Sequence, residues 1–277
     1  MSSDSNGRKP DAQDPAPPSG ASRRQSARAA SAWGAARDSL AAVHNLEALL
    51  RSVSVPYKTI VELLPELRSS GNVLRDVFER SQASDPATTA VREYGRDRTG
   101  ELEKLLDATA RSDEEREQLA NRARSLADEL EASAELLALL ERAADPLPTE
   151  VSVDLIVRET SRMSGTSRGH EVPVRFDEAA PDCVVIADPY VVGPLLSLAI
   201  ASLRASGVES IAVRARSATF VVEAATETDA ALPILAMRVM PTVPPSEEAA
   251  RRVAEQIEAT VSISGLRWSI ELANTAS

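Results

Sequence analysis

The chain has 277 residues, 43% of them hydrophobic, enough for two ordinary domains that each bury a core. Its net charge of −11 and pI of about 4.9 disfavour nucleic-acid binding, since phosphate backbones need a basic face. A lone cysteine, Cys183, excludes a disulfide framework, and no apolar run approaches the roughly 20 residues that span a bilayer, so a cytoplasmic protein without a membrane segment is expected.

Residues 1–34 open with MSSDSNGRKPDAQDPAPPSGASRRQS, which has no periodic apolar positions and predicts a disordered tail. From 35 to 144 the chain reads as almost entirely helical. ARDSLAAVHNLEALLRSVSV places Leu40, Val43, Leu46, Leu50 and Val53 in one stripe at helical spacing. Pro56 either opens a new helix or kinks a continuous one, and the pattern resumes in YKTIVELLPELRSS before Gly71. The polar stretch SQASDPATTAVREYGRDRTG contains Pro86, Gly95 and Gly100 and predicts a loop or insertion.

A second long helix is expected from about Ser112 to Arg142, with Ser112 or Asp113 as cap and Glu115 in support. Leu119, Leu126, Ser133 and Leu140 recur every seven residues beside a companion row of Ala123, Leu130, Leu137 and Ala144. Two such rows predict a seam packed against other helices, supplied by a second copy of the chain or by the helices before residue 112. Asp145-Pro146-Leu147-Pro148 ends the helix, and residues 145–150 serve as a linker.

From residue 151 to 277 the elements alternate. A helix (VSVDLIVRETSRM), two strands (VPVRFDE, CVVIADP) and a helix (YVVGPLLSLAIASLRAS) come first. A hairpin (ESIAVRARSATFVVEAA), a strand (LPILAMRVM), a helix (SEEAARRVAEQIEA) and a closing hairpin (TVSISGLRWSIEL) follow. The expected fold class is α plus α/β: a helical hairpin or bundle, then an α/β sandwich.

The candidate chemistry is one histidine. His44 lies off the apolar stripe and points outward at 100° per residue, with Arg37 and Arg51 one heptad away on the same face. An exposed imidazole flanked by cations suits a phosphoryl acceptor, because the anionic product is screened. Neither His44 nor His170 has Cys or acidic partners at ligand spacing along the chain, so no metal site is expected. No Gly-rich phosphate loop and no G-x-S-x-G turn occur. Glu114-Glu115 and Glu247-Glu248 stand at helix starts, where they complement the dipole.

The C-terminal order, with Asp188-Pro189 opening the helix that contains LLSLAIASLRA, resembles the GHKL-type ATPase domain of sensor histidine kinases. His44-Asn45-Leu46-x-x-Leu49-Leu50 looks like the phosphoacceptor helix of that family, and LADELEASAELLALLERAADPLPTEVSVDL looks like the second helix of its dimerisation hairpin. The family's ATPase helix carries magnesium-holding asparagines, where this sequence has Ser197 and Ala201. Its glycine-rich loop is replaced by AATETDAAL, which has no glycine. Asn45 stands where an acid usually assists phosphotransfer, and no Pro follows His44 at the customary distance. The resemblance implies a two-component protein that is a histidine phosphotransferase: a homodimer through its helices, phosphorylated on His44 with support from Arg37 and Arg51, and partnered by a response-regulator receiver domain. No cofactor is expected. The alternatives are a pseudokinase scaffold without phosphoryl chemistry and a diverged, active histidine kinase.

Overall fold

A computed structural model describes residues 20–80, 85–109, 116–163, 170–178, 184–239 and 242–273, excepting the side chains of 20–33, 159, 161–163, 170, 171, 178 and 238. A helical N-terminal part is followed by a mixed sheet with helices. No helix among the described residues is long and apolar enough to cross a membrane.

Helix α1 (Gly20–Arg51) begins inside the stretch predicted as a tail, so residues 20–34 are helical; residues 1–19 lie outside the described residues. The stripe Leu40, Val43, Leu46 and Leu50 is buried as the spacing predicts. Val53 is 96% exposed, because the helix stops at Arg51 and a turn at Ser52 leads into Pro56. Pro56 opens a new helix, its carbonyl accepting from the Thr59 amide at the start of α2 (Tyr57–Arg80).

Helix α3 (Pro86–Thr109) occupies most of the stretch that the glycines and proline predict as a loop. Pro86 stands at the first helical position, where its missing N–H costs nothing. Asp85 caps the helix by accepting from the Thr88 amide at 3.1 Å and the Thr88 hydroxyl at 2.6 Å. Gly95 does not break the helix; it lets α3 approach α2. A Cβ there would lie 2.6 Å from Phe78 Cζ, inside van der Waals contact.

Helix α4 (Arg116–Ala143) completes the bundle. Helix α1 packs on α2 and α4, and α3 packs on the same two, so the four close around one core. The rows Leu119, Leu126, Leu140 and Ala123, Leu130, Leu137 are buried within a single chain, while Ala144 lies past the helix end and is exposed. The apolar seam, expected to be covered by a second copy of the chain or by the helices before residue 112, is packed by α1 and α3 of the same chain.

Strand β1 (Thr149–Ser152) precedes α5 (Val153–Met163), so the helix expected from residue 151 starts two residues later. Then come β2 (His170–Glu178), β3 (Val184–Ala187), α6 (Pro189–Ala205), β4 (Ile211–Arg216), β5 (Thr219–Ala224), a 3-10 turn at Glu227–Ala231, β6 (Ile234–Val239), α7 (Ser246–Gln256), β7 (Thr260–Ser264) and β8 (Arg267–Glu271). The main sheet runs β6-β2-β4-β5-β8-β7, with β2 and β4 parallel and every other pair antiparallel. Strand β3 leaves that sheet and pairs antiparallel with β1.

The sheet has one dry face. Val174, Phe176, Val213, Phe220, Val222, Trp268 and Ile270 are buried, whereas alternate positions on the same strands carry charge. Asp177, Arg214, Glu223 and Arg267 form a ladder of ion pairs across β2, β4, β5 and β8 on the other face.

The sandwich is docked on the bundle through α6 and α7. Asp188, its carboxylate 1% exposed, accepts from the Tyr190 amide at the start of α6, the Leu147 amide of the linker and Arg142 Nε of α4, each at 2.9 Å. On the other flank Arg252 Nε of α7 lies 3.6 Å from Asp85. Burial alone raises the Asp85 carboxyl, but hydrogen bonds from Thr88 and the Arg252 charge hold it below the ordinary aspartate range.

Gly95→Ala is expected to lower unfolding free energy by about 1–3 kcal/mol in urea denaturation, through overpacking against Phe78. Gly100→Ala on the same helix, with open space around its Cβ, is expected to be neutral or stabilising by up to about 1 kcal/mol. A Gly95→Ala chain as stable as the parent would contradict this packing.

Candidate functional site

Arg37, His44 and Arg51 do share one face of α1, as their spacing predicts, and that face lies along α4: Arg37 and Arg51 stay exposed, while His44 between them is largely covered. The two helices run antiparallel along this seam. Arg116, at the start of α4, donates to the carbonyls of Leu49 and Ser52 at 3.1 Å and Val55 at 3.3 Å, satisfying the orphan end of α1. One level on, Arg51 donates to Asn121 Oδ1 at 2.6 Å and, along its own helix, to Glu47 at 2.9 Å. Next, His44 Nε2 lies 3.3 Å from Glu131 Oε2. Beyond it the Arg37 charge acts on Glu135.

The His44 side chain is 12% exposed and that of Glu131 10%, which corrects the expectation of a solvent-facing imidazole. His44 lies off the apolar stripe, as the spacing predicts, but α4 packs against that part of α1 and covers the imidazole, while Arg37 and Arg51 on the same row remain exposed. Asp128, one turn before Glu131 on α4, completes a cluster in which one ligand atom each from His44, Asp128 and Glu131 lies within 4.8 Å of the others. No acidic residue stands at ligand spacing from His44 along the chain, and the fold supplies two from a distant helix, Glu131 lying 87 residues away in sequence.

The seam is rich in carboxylates. Burial pushes the Glu135 carboxyl up to about 8 and the Glu131 charge adds to this, while Arg37 works in the opposite direction. On another flank of α4, Glu129 accepts from Tyr94 at 2.8 Å and from Arg98 at 3.2 Å. Burial and the Glu129 carboxylate push the Tyr94 phenol up to about 12, against the Arg98 charge.

The other residues that the sequence singles out do not gather here. His170 begins β2 opposite Val239, and its side chain lies outside the described residues, as do Cys183 and the Glu114-Glu115 pair. Glu247 and Glu248 sit exposed in the first turn of α7. Ser197 and Ala201 are each 5% exposed on the buried helix α6. Ala201 offers a methyl group and no ligand oxygen. The segment after β5 folds as a 3-10 turn, with Asp229 accepting from the Thr226 amide at 2.7 Å, the Thr226 hydroxyl at 2.8 Å and Arg214 at 2.6 Å. The residues at these positions do not fit a magnesium–nucleotide complex.

Sequence reasoning misses Asp128, Glu131, Arg116 and the clasp that Asp188 makes. The available signal is the set of acidic positions 128, 131 and 135, spaced three and four apart beside the apolar rows of the helix. No family model and no curated sequence matches the chain. Among solved structures, the histidine kinase AdeS of Acinetobacter baumannii is similar at 12% identity, with 68% of this chain and 96% of that chain covered and a TM-score of 0.34. A likeness of that depth carries no argument for fold or function.

Folded Glu135 keeps its proton up to about pH 8, whereas the unfolded chain releases it near the ordinary glutamate value of 4.5. Its contribution to stability is thus complete below 4.5 and is lost as the pH rises through about 8. Glu135→Gln is expected to unfold at higher denaturant than the parent above pH 8 and to converge with it below pH 4.5. A pH-independent difference would contradict the assignment.

Proposed function

We propose that the chain is a two-component-type pseudokinase scaffold: it holds a receiver-like partner and performs no phosphoryl transfer of its own. The sequence layout supports the class, since a helical part carrying a His-Asn-Leu run precedes an α/β sandwich with the expected succession of strands and helices.

One observation carries the choice of scaffold over phosphotransferase: His44 Nε2 faces Glu131 at 3.3 Å in a seam that leaves 12% of the imidazole exposed. Phosphoryl transfer to a ring nitrogen needs an in-line approach from outside and surroundings that screen the anionic product. Here the nitrogen faces Glu131, with Asp128 beside it, so a phosphoryl group at Nε2 would be set against carboxylates. Arg37 and Arg51, expected to screen it, act on Glu135 and on Glu47 and Asn121 instead. The reading also leaves ATP without a role, because Ala201 supplies no ligand oxygen and the residues of the 225–233 segment include no glycine.

Incubation with a panel of phosphorylated receiver domains is expected to leave no acid-labile phosphate on the chain, and His44→Ala is expected to bind any captured receiver as tightly as the parent. Label on the parent chain that His44→Ala abolishes would overturn the scaffold and restore the phosphotransferase. Calorimetry with Mg-ATP is expected to give no binding at micromolar concentration; saturable binding followed by self-labelling would restore the kinase.

A further inference from the structure

We propose that His44, Asp128 and Glu131 form a binding site for a divalent transition-metal ion of the zinc type, bridging α1 and α4. The donor set is one imidazole nitrogen and two carboxylate oxygens, which suits Zn2+ and its neighbours better than Mg2+ or Ca2+, whose sites are built from oxygen alone.

The placement of the donors follows from the helices. Asp128 and Glu131 are three residues apart on α4, so both carboxylates project from one face. His44 comes from the antiparallel helix opposite, as in bundle sites assembled from facing helices. Metal bonds of about 2.0–2.2 Å at tetrahedral angles place two ligand atoms about 3.3 Å apart. The His44 Nε2 to Glu131 Oε2 separation is 3.3 Å. A charge-assisted hydrogen bond between an imidazolium and a carboxylate is normally shorter, about 2.7–2.9 Å. The pair therefore sits at the spacing of two ligands on one ion, and the third donor lies within 4.8 Å of both.

Electrostatics favour the same occupant. A bound divalent ion offsets the two carboxylates with a single charge centre, in a seam where Arg51 is already held by Glu47 and Asn121. With three protein ligands, the fourth position falls to water or to a partner group. The site ties α1 to α4 along their seam, so metal binding is expected to stabilise the bundle. This inference does not rest on the scaffold reading, and the two are tested by different readouts.

The full chain, stripped with chelator, is titrated with Co2+ and with Zn2+. One equivalent is expected to bind: Co2+ gives visible d–d absorption that Zn2+ displaces, and Zn2+ raises the melting temperature. Asp128→Asn keeps the side-chain volume and is expected to weaken binding at least tenfold; His44→Ala is expected to abolish the absorption band and the thermal shift. Each variant is checked for parent-like circular dichroism, with His44→Gln used if His44→Ala does not fold. Absence of binding in the parent, or binding that neither position alters, would overturn the site.

Discussion

A carboxylate buried on an enclosed helix has to be answered by a partner, and Glu131 on α4 is in that position. Helix α4 is packed by α1 and α3 from the bundle and by α6 and α7 from the sandwich, and from Leu130 to Leu137 only Glu135 and none of the other seven residues keeps partial exposure. An uncompensated charge there would cost several kcal/mol. His44 is the group that faces it, which fixes the rotation of α1 about its own axis. The same rotation puts Leu40, Val43, Leu46 and Leu50 into the core, sets Arg51 against Asn121, and leaves the carbonyls at the end of α1 to Arg116.

The attachment of the sandwich follows a similar logic at a smaller scale. Asp188 is buried at the start of α6, and three donors from α6, the linker and α4 converge on it. A short linker that is hydrogen-bonded at Leu147 leaves little freedom between bundle and sheet. The charged ladder from Asp177 to Arg267 then lies on the face of the sheet away from its buried residues, where ion pairs cost little to hydrate.

Much of this is legible in the sequence, and the failures have particular causes. The succession of elements after residue 151 can be read because alternation in RWSIE or TFVVEA and the apolar run of α6 are local signals. That β3 joins β1 is a long-range choice, Val185 opposite Val151, which no local pattern carries. Helix α3 is hidden by its composition: Pro86 reads as a breaker until Asp85 caps it, and Gly95 reads as a turn until Phe78 fills its place. The site is half legible. The shared face of Arg37, His44 and Arg51 follows from heptad spacing, but whether His44 on that face meets water depends on how α4 packs against it. Asp128 and Glu131 lie too far along the chain for spacing to join them to His44.

The claim on which the account turns is that His44 is closed into the seam between α1 and α4. Diethyl pyrocarbonate modifies accessible imidazoles, and peptide mapping by mass spectrometry reads His44 separately from His170. The account predicts slow modification of His44 in the folded chain and reaction at the free-imidazole rate once the chain is unfolded. Modification of folded His44 as fast as a free imidazole would contradict it and return the residue to the solvent-facing position that the sequence suggests.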